Sequence, residues 1–246
     1  MADERLSLSE HLEELRLRLI YSVIFFVTAL VVCFIFQEKI LEIIVAPHLG
    51  ATESAKLWPI NYPERFLVYF KGSLIAALLL SGPFILYQFW QFMSAGLYPH
   101  EKKYVNFYLP FSILLFIAGI LFCYFILLPP MLKFLASYGN ADFLENKFTL
   151  NSYFNLFITL IIILGVVFEL PLVMLFLTQI KLLTPQFYLK NFKISIIVAF
   201  IVAAIITPSS DPVNQTLLAV PLLLLYIIGK AISFFYLRLN KKKTGR

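Results

Sequence analysis

The sequence predicts an all-α integral membrane protein with six transmembrane helices, both termini on the cytoplasmic side, and short fifth and sixth spans. Three observations carry that expectation. Of the 246 residues, 61% are hydrophobic and 14% charged, at a mean hydropathy of +0.86; a soluble domain is about a quarter charged. The apolar residues gather into runs suited to a hydrocarbon core, which needs about 17–25 residues per helix. Thirteen of the twenty lysines and arginines fall on the side of the N-terminus and six on the other, and such an excess marks the cytoplasmic side.

The spans read in order as 19–36, 72–92, 104–128, 152–177, 194–206 and 217–235, forming one polytopic domain over 1–246 that ends in a basic tail at 240–246. The first four are long enough to cross. The fifth offers 13 apolar residues, about 20 Å at 1.5 Å per residue. Lys230 interrupts the sixth, leaving Leu217–Ile228 as its apolar part. Short spans imply a locally thinned bilayer or neighbours that cover the mismatch. The tail suits an anionic lipid surface. The opening Met1-Ala-Asp-Glu-Arg has no apolar core followed by a cleavage site, so neither a signal nor a transit peptide is expected.

Ahead of the first span, Ser7-Leu-Ser-Glu10 fits a capping box. The helix it starts carries Glu10, Glu13 and Glu14 against Arg16 and Arg18. Pairs at i,i+3 and i,i+4 account for part of this charge. The carboxylate surplus runs against the cytoplasmic trend and suggests a cationic partner. In the following loop, Glu38–Ala46 reads as a short helix ended by a turn at Pro47-His-Leu-Gly. Span two holds Ser81-Gly-Pro83, a candidate kink, and ends in Tyr87, Phe89 and Trp90, which fit an interfacial aromatic belt. Pro99 and Glu101 suit the first turn of a helix, and Glu101 is equally readable as an exposed carboxylate beside the membrane. Pro129-Pro130 reads as the end of span three.

Glu169 stands alone in the apolar run Ile161–Phe176. A carboxylate at that depth costs at least about 3 kcal/mol unless it faces protein or water or carries a proton. Pro171 breaks the backbone ladder just beyond it. Chemistry of other kinds is missing from the pattern. Cys33 and Cys123 lie in separate spans with no metal-ligand spacing, and His11, His48 and His100 are scattered. No zinc-protease, nucleophile-elbow or phosphate-loop signature occurs. No enzyme, cofactor, metal site or nucleic-acid partner is expected. A proton-coupled small-solute transporter using Glu169 stays open, although no relay of further intramembrane acids accompanies it.

Laid end to end, these segments resemble the TatC family, the multispan receptor subunit of the twin-arginine protein translocase. The similarity runs through His11-Leu-Glu-Glu-Leu-Arg-Leu-Arg18, Ala46-Pro47, Pro63-Glu-Arg-Phe66, Gly82–Trp90, Leu97-Tyr-Pro-His-Glu101, Phe168-Glu-Leu-Pro171, Thr207-Pro208 through Asp211, and Gln215–Pro221. The resemblance implies that Glu14 and Glu101 bind the Arg-Arg signal of folded precursor proteins, with Arg16 and Arg18 in support. It implies that Glu169 and Gln215 dock single-span subunits of the TatA/TatB type, and that transport is driven by the proton-motive force in a bacterial inner membrane or plastid thylakoid. Pro47, Phe66, Pro83, Pro171 and Asp211 match structural positions. Two departures stand out: Ile227 follows Tyr226 where many relatives have Glu, and Pro208-Ser-Ser-Asp211 lengthens the commoner Pro-x-Asp spacing.

Overall fold

A computed structural model of the chain describes residues 8–52, 56–96, 99–138, 148–207 and 211–244, with the side chains of 8, 99–104, 106 and 239–244 outside that description. Ser7 of the expected capping box, the turn at 208–210 and the charges of the basic tail therefore lie outside the described residues. The order is α1 (Leu8–Ile35), α2 (Gln37–Ala51), α3 (Glu64–Ala95), α4 (Pro99–Phe122), a π-helical turn (Cys123–Leu127), α5 (Leu128–Ser137), α6 (Leu150–Val167), α7 (Leu170–Gln179), α8 (Pro185–Lys190), α9 (Phe192–Ile206) and α10 (Pro212–Thr244). An isolated bridge between Trp58 and Thr149 is the one β-type pairing among the described residues. Among the described residues, five helical stretches are long and apolar enough to cross a membrane: Ser9–Ile35, Glu64–Ala95, Phe107–Ser137, Leu150–Gln179 and Pro212–Arg238. The chain is an all-α, multi-spanning membrane bundle. Its contacts divide into two compact units, 1–117 with 139–158, and 118–138 with 159–246.

In the first unit α1 lies along α3. Small side chains let the two backbones approach, since Ala29, Cys33 and Ala77 are buried together, and Phe25 stacks on Phe84 at 4.4 Å. Most of the remaining α1 surface is exposed and apolar, as lipid contact demands. Gly82 matters for its size, because a Cβ there would lie 2.3 Å from the Phe116 ring. α3 runs unbroken through Pro83. Of the expected belt, Tyr87 and Phe89 face outward, but Trp90 is buried and stacks on Tyr108 at 5.3 Å. Trp90 belongs to the core.

The segment between α1 and α3 corrects one expectation. No turn forms at Pro47, and α2 continues to Ala51. The proline removes one ladder donor, but the same stretch is tied elsewhere: Tyr153 of α6 donates its hydroxyl to the Ile44 carbonyl. Ile44 also packs 3.5 Å from where a Gly72 Cβ would sit. Buried His48 lies between the rings of Phe148 and Tyr153, at 5.2 and 5.3 Å. Phe66, by contrast, is exposed and stacks on Phe70. The buried side chain of that tetrapeptide is Glu64. Its carboxylate accepts from the backbone N–H groups of Ile60, Asn61 and Asn151, while Lys71 donates to Asn151 and Asn155 at 3.1 and 3.2 Å. One acid thus joins the loop before α3 to the start of α6.

In the second unit Pro129-Pro130 does not stop the third span. The π-helical turn shifts the ladder by one residue, so that the Leu128 N–H bonds to Cys123. The prolines then occupy the first turn of α5, where missing donors cost least. At the other end of the unit, α10 begins with Asp211 accepting from the Asn214 N–H at 2.8 Å and Pro212 as its first residue. This is the usual chemistry of a helix start. α10 continues to Thr244, past Lys230. α9, at 15 residues, is about 22 Å long and alone falls short of a hydrocarbon core of about 30 Å.

Glu64→Ala should lower the Tm in detergent and open residues 56–63 to limited proteolysis. Glu64→Gln, which keeps an acceptor but loses the charge, should fall between Ala and wild type.

Candidate functional site

The entry segment of α1 rests on the C-terminal end of α3. His11 stacks on Phe92 at 4.4 Å, and a Cβ on Gly96 would lie 3.2 Å from the His11 ring. One turn on, Arg18 donates from Nε to Glu14 Oε1 at 2.8 Å, with a second guanidinium nitrogen 2.7 Å from the same oxygen. Its remaining arm donates to Oε1 of buried Gln88 at 3.0 Å. Among the described residues no bond reaches Glu14 Oε2. Arg18, not Arg16, is the arginine that holds Glu14; Arg16 is exposed. Gln88 carries no charge and sits in an apolar run, so nothing in the sequence marked it.

Glu101 lies in the first turn of α4, with its side chain outside the described residues. Five residues separate it from Gly96, a reach of at most about 18 Å, and Gly96 touches the turn of α1 that precedes Glu14. The chain therefore keeps the backbone of Glu101 within about 18 Å of Gly96, on which α1 rests one turn before Glu14. The Glu14–Arg18 pair, 28% and 26% exposed, is worth only about 0.3–0.5 kcal/mol as an exposed i,i+4 pair. It orients the carboxylate without locking it.

The second region surrounds Glu169, in the second unit. The helix from Leu150 stops at Val167 and restarts at Leu170. The Glu169 N–H turns back to the Val166 carbonyl, three residues away, at 3.1 Å. Pro171 sits in the first turn of α7, where its missing N–H is tolerated. Glu169 is 8% exposed. Two glycines let neighbouring helices close on this break. A Cβ on Gly119 of α4 would lie 2.7 Å from the Leu164 carbonyl oxygen and 2.9 Å from Phe168 Cβ. One on Gly229 of α10 would lie 3.0 Å from Pro171 Cα and 2.6 Å from Met174 Sδ. Reading the sequence for charge and proline misses both glycines, whose meaning depends on what faces them.

Gln215 is elsewhere. Its amide donates to the Phe200 carbonyl at 3.0 Å, joining α10 to α9, fourteen residues before Gly229. That spacing is about 21 Å along the axis, so Glu169 and Gln215 stand at different levels. Between α7 and α10 the buried Tyr188 of α8 donates to the Met174 carbonyl at 3.0 Å, and Tyr226 donates to the Tyr188 carbonyl at 2.9 Å. Burial raises the Tyr188 hydroxyl above its usual range, with a hydrogen bond to Thr178 acting in the opposite direction. The hydroxyl stays a donor. Ile227 beside Tyr226 is partly exposed. Among the described residues no cluster of His, Cys, Asp and Glu could hold a metal, and both cysteines are free.

The family model of the Sec-independent protein translocase protein (TatC) matches residues 10–221. The chain is 36% identical to the Sec-independent protein translocase protein TatC of Koribacter versatilis, covering 97% of this chain and 89% of that one. It is 39% identical to that of Aquifex aeolicus, over 90% and 92% of the two chains. The uncharacterized tatC-like protein ycf43 of Gracilaria tenuistipitata is 34% identical over 91% of this chain and 92% of that one. A crystal structure of the twin arginine translocase receptor TatC superposes with a TM-score of 0.82 at 38% identity, over 92% of this chain and 99% of that one.

Gly119→Ala should lower stability by about 1–3 kcal/mol through overpacking against backbone, measured by thermal unfolding in detergent. Gly50→Ala, where nothing lies within 4 Å of the added carbon, serves as the silent control.

Proposed function

The chain belongs to the TatC family of Sec-independent protein translocase proteins, and we propose that it is the receptor subunit that binds Arg-Arg signals of folded precursors and docks TatA/TatB-type single-span subunits. The family match over residues 10–221 carries this reading. It displaces the small-solute transporter as an alternative and assigns the chain no enzymatic step.

Recognition rests on Glu14 and Glu101. An incoming guanidinium can form a planar two-bond pair with a carboxylate, a stronger contact than the one-oxygen pair that Arg18 makes. Because the Arg18 pair is weak and ends on Oε1 alone, Glu14 can turn to a substrate arginine while Gln88 retains Arg18. Arg16, exposed at the same level, supports the helix at the headgroups.

Docking of the single-span subunits is assigned to Glu169 and Gln215, met at separate depths. A buried acid between glycine crossings offers a polar group to a transmembrane helix that carries one of its own, and Gln215 sets α9 against α10. We take α9 as a sixth crossing, short of the core thickness, with the bilayer thinned around it. Six crossings put both termini on one side, which the lysine and arginine excess makes cytoplasmic. The chain then forms a single polytopic domain of a bacterial inner or thylakoid membrane. Pro47, Phe66, Pro83, Pro171 and Asp211 serve its architecture, and no cofactor is assigned.

Glu14→Ala and Glu101→Ala should each cut photo-crosslinking of an Arg-Arg signal peptide at least about tenfold, the effect of losing one charge-assisted pair, while membrane insertion is unchanged. Wild-type crosslinking in both variants would overturn the recognition site. At Glu169, Gln should preserve co-purification of a single-span partner far better than Ala; equal loss would point to charge instead of hydrogen bonding.

A further inference from the structure

Between residue 170 and the C-terminus the sequence holds nine lysines and arginines and one acid, Asp211. Asp211 is spent capping the start of α10, nineteen residues before Lys230, about 28 Å along the axis. The other end of this region therefore has cations with no carboxylate of the same region to answer them. The structure sets one of them over an aromatic ring whose sequence neighbours include two more. The Lys230 ammonium lies 4.8 Å from the centroid of Phe192, and Lys190 and Lys193 flank Phe192 in sequence with their side chains exposed. The place is fixed from beneath by the bond of Tyr226 to the Tyr188 carbonyl and by buried Pro185.

The surroundings are apolar. Leu182, Phe187 and Leu189 are exposed on the segment that carries these lysines. Below it, Ile194, Ile197, Val198, Ile201 and Ile205 form an exposed stripe at helical spacing down α9. Water would penalise such a surface, and a soluble acidic partner would leave the stripe uncovered. A molecule with an anionic head and two hydrocarbon tails matches both parts at the depth where a lysine reaches from an apolar helix to the headgroups.

We propose that Lys190, Lys193 and Lys230 form a binding site for one anionic phospholipid, its phosphate among the three ammonium groups and its acyl chains along α9. The bound lipid covers the helix too short to match the bilayer. The leaflet concerned, the cytoplasmic one, rests on the orientation proposed above, but the site itself does not.

Native mass spectrometry of the full chain, released from detergent containing equimolar phosphatidylglycerol and phosphatidylcholine of identical chains, tests this. Wild type should retain phosphatidylglycerol preferentially. Lys190→Gln with Lys193→Gln should weaken retention about thirtyfold, at about 1 kcal/mol per cation near the lipid charge, and neutralising Lys241, Lys242 and Lys243 should not. Equal retention of the two lipids, or loss only on neutralising the tail, would overturn the site. Should the double variant misfold, salt supplies the second measurement: wild type must release phosphatidylglycerol as salt rises, and indifference to salt overturns the proposal. Detergent removes sidedness, so an error in orientation would appear only in cysteine labelling of intact membranes.

Discussion

A helix inside a bilayer cannot leave its backbone groups to water, and this chain places prolines repeatedly where that rule bites. Three of these places are accommodated by different devices. Pro171 follows an open break and sits where a restarting helix has spare donors anyway. Pro129 and Pro130 follow a π-helical turn that displaces the ladder before they arrive. Pro47 is carried through α2, with Tyr153 bonded to a carbonyl of the same stretch. The constraint is one, and it decides where each unit can bend, and hence where a polar side chain can be buried.

Glu169 is the consequence. A carboxylate on an unbroken apolar helix would face lipid or a packed neighbour, at a cost of several kcal/mol. At the break, the backbone turns and the side chain enters protein. Gly119 and Gly229 then bring α4 and α10 close to backbone atoms of Leu164 and Pro171. Packing at this place uses atoms that cannot move aside, so the acid is set in a rigid frame. That suits a docking point better than it suits a proton carrier, which needs room to reorient and a chain of partners.

Five of the spans were legible in the sequence because apolar runs are long-range averages. Their ends were not. Pro129-Pro130 reads as a stop because nothing local announces the π-helical turn ahead of it, and Pro47 reads as a turn because Tyr153, which bonds the Ile44 carbonyl of the same helix, is over a hundred residues away. Glu14 and Glu169 were visible as charges out of place. Glu64 was hidden for the opposite reason: an acid at a helix start already has an ordinary explanation in the helix dipole. Its burial and three backbone donors depend on where residues 60, 61 and 151 meet. Gln88, Gly119 and Gly229 are similarly defined by what they face.

The two glutamates selected for binding differ in a way that follows from dielectric. Glu14 lies at a partly exposed corner, where ion pairs are weak and exchange readily; a receptor that must release its ligand gains from that. Glu169 lies where an uncompensated charge is costly and a hydrogen bond therefore decides whether a partner stays. An interaction strong enough to anchor a subunit would trap a signal peptide, and one loose enough to pass a signal peptide would lose a subunit. On the proposed roles, the exchangeable contact is a partly exposed acid of one unit and the persistent one a buried acid of the other.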